Sequence, residues 1–389
     1  MQGPLRILYL APHPFYQERG TPIAVDLSLQ VLSSLGHSIR VLTFPGGQDR
    51  AIPNVTLERV RPLFSVSRIA PGFSWKKLIC DAAMWRKAHQ VAQSWKPHLV
   101  HAVEEGAFCA QRLRGRFGIP YVYDMDSSMA MQLVEKMRWL APAGSVFRRL
   151  EARVARDALA VIPVCPALAR IAANYGASRI CLLSDISLLD PGDSQPAIDL
   201  RAETGITGFA FLYIGNLEGY QGIELMLEAF AHALRKEPEL ALFIAGGPES
   251  RADHFRAHAA RLGIDSRVRF IGSRPLREMG ALFRGADALV SPRIRGLNTP
   301  MKIYSYLDSE RPILATDLPT HTQVLTPDIA ELATPEPRAF AEGMLRLARD
   351  PVRSARLAAA ARERVRTHHS RIAYRATLTG LYNELQATL

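Results

Sequence analysis

Arg293, Arg295 and Lys302 lie within one short stretch around a Thr299–Pro300 pair, and cations at that spacing suit an anion better than they suit bond-making chemistry. Threonine at an N-cap followed by proline at the first helical position predicts a helix over 300–308. Its free N–H groups and the positive end of its dipole would add to the attraction for a phosphate. The plainer alternative is a surface helix whose basic residues are simply solvated. Three further turns tip the balance: Ile214-Gly215-Asn216, Ala245-Gly246-Gly247-Pro248 and Ile271-Gly272-Ser273-Arg274 each follow an apolar run. Glycine there lets a ligand approach the backbone closely, so the four segments together predict a nucleotide site.

A second set of polar residues follows apolar runs in the first half: His13, His101, Glu104, Asp124 and Asp126, with Gly20 in the first loop. Asp126 and His101 have the chemistry to orient or deprotonate a hydroxyl, and are the catalytic candidates. His13 and Glu104 are candidates for holding that hydroxyl's owner. Glu104 and Glu105 read equally well as a helix N-terminal charge pair, and Asp124 as a structural acid closing a strand. Gly20 suits close approach of a phosphate or sugar.

Positioning these residues requires alternating strands and helices. Strands are expected at 6–11, 39–44, 99–103, 120–124, 159–164 and 180–184, with helices at 22–35, 75–94, 106–117, 146–158 and 167–175. The segment 190–208, with its PGDSQP, reads as a linker. Beyond it strands at 209–214, 240–245, 268–271, 288–290, 312–316 and 330–333 alternate with helices at 222–236, 251–262, 276–284, 300–308 and 338–349. Helices are also expected at 352–368 and 371–385. The pattern predicts two doubly wound α/β domains, 1–190 and 205–370, with 371–389 packing back on the first and ligands at the carboxyl ends of the strands.

With 389 residues and 48% hydrophobic composition the chain can bury two cores. No apolar run reaches the length of a spanning helix, and the run 7–11 is too short for a signal-peptide core, so a cytoplasmic chain is expected. Cys80, Cys109, Cys165 and Cys181 show no metal-ligand spacing. The net charge of +11 is uneven: 23 Lys/Arg against 15 Asp/Glu in 1–195 gives +8, leaving +3 for the rest. Within 59–96 basic residues are interleaved with Phe64, Phe73, Trp75, Trp85 and Trp95, a composition that suits peripheral contact with the anionic inner face of a membrane. No nucleic-acid fingerprint accompanies the charge, and none is expected as a partner.

The segments LYIGNLEGYQGIELMLEAFAHA, LFIAGGPES, VRFIGSRPLREMGALFRGADALVSPR and NTPMKIYSYLDSERPILAT resemble, in order and spacing, the nucleotide-binding half of the retaining GT-B glycosyltransferases of family 4. GTPIAVDLSLQVLSSLGHSIRVLT is similar to that group's opening strand, loop and helix. The resemblance implies two facing Rossmann-like domains. A nucleoside-diphosphate sugar, UDP or GDP in type, would bind the second and a glycan or lipid-linked acceptor the first. It implies no cofactor or metal. The residue reading and the resemblance together make Gly215, Asn216, Gln221, Gly246, Gly247, Arg274, Asn298, Thr299, Pro300, Met301, Lys302 and Ser305 the candidate donor-contacting positions.

Several positions depart from the family pattern. The paired glutamates of many members fall near Leu297 and at Ser305, the usual diphosphate Arg and Lys at Asn216 and Gln221, and a usual histidine at Asp126. Arg293, Arg295 and Lys302 offer replacement charge, and Ser305 a single neutral hydrogen bond to ribose. The expected activity is retaining transfer of a sugar to an acceptor hydroxyl in cell-envelope glycan or glycolipid synthesis. A sugar-nucleotide epimerase and a non-catalytic nucleotide-sugar or glycan binder are the alternatives.

Overall fold

The computed structural model describes residues 3–18, 20–62, 75–136, 142–190, 192–193 and 195–389. The chain divides into two compact units, one formed by residues 1–184 and 374–389 and the other by 185–373.

The first unit runs β1 (Arg6–Pro14), α1 (Gly20–Ser34), β2 (Ser38–Phe44), β3 (Val55–Arg59), α2 (Trp75–Trp95), β4 (Leu99–Val103), α3 (Gly106–Phe117), β5 (Tyr121–Met125), α4 (Met129–Lys136), α5 (Gly144–Asp157), β6 (Ala160–Pro163) and α6 (Pro166–Asn174). Its six strands are parallel, in the order β3-β2-β1-β4-β5-β6. Burial on both faces explains the unbroken apolar run Ile7–Ala11, every residue of which is fully enclosed. The stretch 180–184, expected as a strand, contributes only an isolated bridge, Val161 to Ile180. It lies at the sheet's outer edge, beyond β6, where one partner is available.

The second unit runs α7 (Leu200–Thr204), β7 (Phe209–Ile214), α8 (Ile223–Leu234), β8 (Leu240–Ala245), α9 (Glu249–Arg261), β9 (Val268–Gly272), α10 (Met279–Gly285), β10 (Ala288–Ser291), α11 (Lys302–Asp308), β11 (Ile313–Thr316), α12 (Pro319–Thr322), β12 (Glu331–Ala333), α13 (Pro337–Arg349) and α14 (Pro351–His368). Its parallel sheet, β12-β11-β10-β7-β8-β9, repeats the first unit's winding. The described residues of the expected linker from 195 onward are built into this unit. Asp199 caps α7 through Arg201 N and Ala202 N, and Ile198 N donates to Ala281 O at 3.0 Å.

The last helix, α15 (Arg371–Thr388), carries Tyr374, Leu378, Leu381, Tyr382 and Leu385 on its buried face. Tyr374 Oη lies 2.7 Å from Ser28 Oγ and Tyr382 Oη 2.7 Å from His101 Nδ1, which tie the helix to α1 and β4.

Each sheet reverses direction once, between β1 and β4 and between β7 and β10. Those switch points are where loops diverge and leave a crevice at the carboxyl ends of the strands. Arg293 and Lys302 lie beside the second of these places, and His13 and Glu104 beside the first.

Candidate functional site

At the β7/β10 switch point Lys302 opens α11, and its Nζ is sealed from solvent although part of its stem is exposed. The ammonium nitrogen sits 3.9 Å from the Tyr213 ring centroid and 6.0 Å from that of Tyr306, with no hydrogen-bond partner among the described residues. Burial, and then the neighbouring Arg293, hold its pKa well below the ordinary lysine value. Its protonated form has no counter-charge among the described residues, and an anion would supply one.

Arg293, 8% exposed, is clamped in place. Its Nε donates to Arg295 O at 2.7 Å, its Nη2 to Asn298 Oδ1 at 2.9 Å, and its guanidinium lies 5.3 Å from the Tyr220 ring. The β7 turn approaches the same place. A Cβ at Gly215 would stand 3.2 Å from Lys302 Nζ and 2.7 Å from Tyr213 Oη, so a side chain there would crowd the lysine nitrogen. Tyr213 Oη donates to Asn216 O at 2.6 Å, and Asn216 Nδ2 to Tyr220 Oη at 3.1 Å. Two further buried polar atoms lack a partner among the described residues, Gln221 Oε1 and Thr299 Oγ1.

The glycine turns are stitched backbone to backbone. Gly215 N donates to Ala245 O at 3.0 Å and Gly246 N to Gly272 O at 2.7 Å. A Cβ at Gly246 would come within 2.2 Å of Gly215 O, and one at Gly247 within 2.5 Å of Leu217 Cγ. The three turns therefore form one surface.

Behind Arg293 lies His321, fully buried and absent from the sequence reading. Its Nε2 is 2.9 Å from Ser291 Oγ and its Nδ1 3.1 Å from Thr316 O, while Thr316 Oγ1 donates to Arg293 O at 2.5 Å. The geometry puts the proton on Nδ1 and leaves Nε2 to accept from Ser291. Burial pushes its pKa down to about 3, so it braces the loop without adding a third positive charge. Tyr213, Tyr220 and His321 were all missed. The first two flank glycine turns, a signal that was available, whereas His321 sits in the turn LPTHTQ with nothing to mark it.

Several expectations need correction. The helix begins at Lys302, not Pro300, and Thr299 makes no capping bond. Ile303 N donates to Pro300 O at 2.9 Å and Tyr304 N to Met301 O at 3.2 Å, so the turn before this seven-residue helix uses amides that were expected to be free. Positive potential here comes from side chains. Ser305 is fully buried, and its Oγ accepts from Leu188 N at 3.0 Å, so it bolts the opening stretch of the second unit to α11 instead of facing a ribose. Arg274 is engaged by Glu203 at 3.1 Å and Glu278 at 3.7 Å, which takes its charge away from a ligand. Arg295 is exposed, and it is its carbonyl that enters the cluster.

The β1/β4 switch point of the first unit gathers His13 and Glu104. His13 is the next-to-last residue of β1, 7% exposed, with Nδ1 3.2 Å from Pro14 O. Glu104 follows β4 in a left-handed conformation (φ 45°), and its Oε1 accepts from Ser127 Oγ at 3.0 Å. Asp126, partly exposed, follows β5 in the neighbouring turn. Gly20 opens α1 in open space. His101 is a correction. It is fully enclosed, stacked on Tyr9 (4.3 Å between centroids, 11° between planes) and held by Tyr382 at 2.7 Å and Asp124 at 3.2 Å. It anchors α15 and has no surface on which to meet a substrate.

The described part of the basic 59–96 segment is also less free than its composition suggests. Arg59 pairs with Asp49, Lys77 with Glu105 and Lys87 with Glu58, and Trp85 and Trp95 pack against the core. Phe64 and Phe73 lie outside the described residues. Among the described residues no cluster of three or more His, Cys, Asp or Glu side chains could hold a metal, and no helix is long and apolar enough to cross a membrane.

Two family descriptions match this chain, "Glycosyl transferase 4-like domain" over residues 26–184 and "Glycosyl transferases group 1" over 208–350. A D-inositol 3-phosphate glycosyltransferase of Corynebacterium efficiens is 32% identical over 137 residues, 32% of each chain. The alignments span about a third of the length of the first curated relatives. Sucrose-phosphate synthase from Thermosynechococcus elongatus has the same fold over 99% of this chain and 100% of its own, with a TM-score of 0.81 at 18% identity. Anabaena HepE, solved in complex with UDP-glucose, superposes over 98% of this chain and 100% of its own, with a TM-score of 0.71 at 17% identity.

Proposed function

The chain belongs to the group 1, family 4-like glycosyltransferases of GT-B fold, and from that premise we propose that it moves a sugar from a nucleoside-diphosphate sugar to an acceptor hydroxyl with retention of configuration. The observation that carries this reading is the unpaired, buried Lys302 beside Arg293 and Gly215 at the second unit's switch point. Transfer leaves negative charge on the departing diphosphate, and preorganised cations in a dry site stabilise that charge most where it develops. Arg293, held by Arg295 O and Asn298, is preorganised in this sense. A metal ion is not needed for that role.

The donor is proposed to be of UDP type, because HepE is a UDP-glucose complex of the same fold. Ribose recognition falls to Gln221 and to backbone of the stitched turns, given the burial of Ser305. The acceptor is proposed to belong to cell-envelope glycan or glycolipid synthesis, reached from the cytoplasmic face. Asp126, with His13 and Glu104 beside the first unit's switch point, orients its hydroxyl, a positioning task that needs no covalent intermediate.

Calorimetric titration with UDP tests the donor half. Exchanging Lys302 or Arg293 for Ala should weaken binding by at least tenfold, since each removes a charge-assisted contact worth about 1.5–3 kcal/mol. Unchanged affinity in both variants would overturn the assignment. For the acceptor half, Asp126→Asn should lower turnover while leaving UDP affinity alone. Donor isomerisation without acceptor would point instead to epimerase chemistry.

A further inference from the structure

The first unit contains a cavity of about 480 Å³ that none of the donor chemistry uses. Its walls are apolar, formed by Met84 and Trp85 of α2, Phe108 of α3, Leu133 of α4 and Phe147 of α5. At its mouth Leu78 and Leu150 are 40% and 50% exposed. The volume falls in the roughly 300–1,000 Å³ range of small-molecule sites.

Four charged residues line the same space, Lys77, Asp81, Glu105 and Arg112, and their charges sum to zero. Lys77 pairs with Glu105 Oε1, and the Arg112 guanidinium lies 5.8 Å from the Trp85 ring. Glu105 Oε2 is buried and accepts nothing among the described residues. Burial pushes the carboxyls of both Glu105 and Asp81 up, so these apolar surroundings disfavour the addition of a further charge. An unsatisfied acceptor in an apolar, charge-balanced pocket calls for a neutral donor, and a hydroxyl is the simplest one.

We propose that this cavity holds the aliphatic chain of an amphipathic acceptor whose neutral, hydroxyl-bearing head donates to Glu105 Oε2. The acceptor role rests on the glycosyl-transfer reading; the site itself rests on the cavity and the unmet oxygen.

The test is calorimetric titration of the full chain, without nucleotide, with octyl, decyl and dodecyl maltoside below their micellar concentrations, and with maltose. The expected result is affinity rising about tenfold for every two methylenes added, with maltose alone far weaker. Ala82, exposed at the cavity lining, is the place to block it: Ala82→Trp should weaken dodecyl maltoside at least tenfold while the circular dichroism spectrum is kept. Leu133→Trp fills the interior from another helix and should act the same way. Affinity independent of chain length, or equal in wild type and both filled variants, overturns the proposal. So does sedimentation with phosphatidylglycerol vesicles without binding of monomeric maltosides, which would make the exposed leucines a membrane-docking patch. UDP titrations of the same samples separate the two readings. In the wild type, UDP binding without chain-length dependence overturns the cavity proposal alone, and chain-length dependence without UDP binding overturns the transfer reading.

Discussion

Lys302 departs furthest from ordinary lysine behaviour, and its protonation should be visible in donor binding. In the empty site burial and Arg293 favour the neutral amine. A diphosphate favours the ammonium, so binding raises the pKa and takes up a proton. Affinity should therefore fall as pH rises from the lowered pKa of the empty site to the restored pKa of the occupied one, by up to about tenfold per pH unit, and be flat outside that window. UDP affinities measured across the neutral-to-alkaline range check this; Lys302→Ala should remove the slope, and a slope that persists would assign it to another group. The cations of this site were legible in the sequence because Arg293 and Lys302 bracket a strand-to-helix loop. Which of the basic residues remain available was not legible. Arg274 and Lys302 look equivalent in sequence, and only the fold gives the first Glu203 and Glu278 while leaving the second without a hydrogen-bond partner among the described residues.

At the scale of elements, the ends of β10 and β11 are held together by His321, through Ser291 on one and Thr316 on the other. A histidine ordinarily takes a proton near 6.5, while this one stays neutral down to about 3. The unfolded chain then binds one more proton than the folded chain as pH falls from about 6.5 to about 3. Stability is fully present above that window and declines through it, by up to about 1.4 kcal/mol per pH unit from this residue. Denaturant unfolding of wild type and His321→Asn should show a shallower acid decline in the variant, although the variant is less stable near neutrality; parallel curves would refute the buried-histidine account. Regular elements were read well where period and length were strong. β3 and α4 were missed because VTLER and MAMQLVEK are short, and the first is only partly buried. The start of α11 was misplaced because Thr-Pro is a capping signal that the preceding turn overrode.

At the scale of the whole molecule, two sheets of identical winding were legible as two α/β domains, since buried parallel strands announce themselves as apolar runs. The allocation of the segments between them was less so. Residues 190–208 look like a polar tether, yet Asp199, Ile198 and Arg201 fasten them to the second unit, Arg201 through Asp287. Each unit has a core of its own, so ligand binding to one should protect that one selectively. A ligand at a hundred times its dissociation constant stabilises its unit by about 2.7 kcal/mol, roughly a hundredfold slowing of exchange through global opening. Hydrogen exchange with saturating UDP should therefore slow the amides of β7 to β12 by up to that factor and leave those of β1 to β6 nearly unchanged. Equal slowing in both sheets would mean that the units open as one, and slowing confined to β1 to β6 would move the nucleotide site to the other switch point.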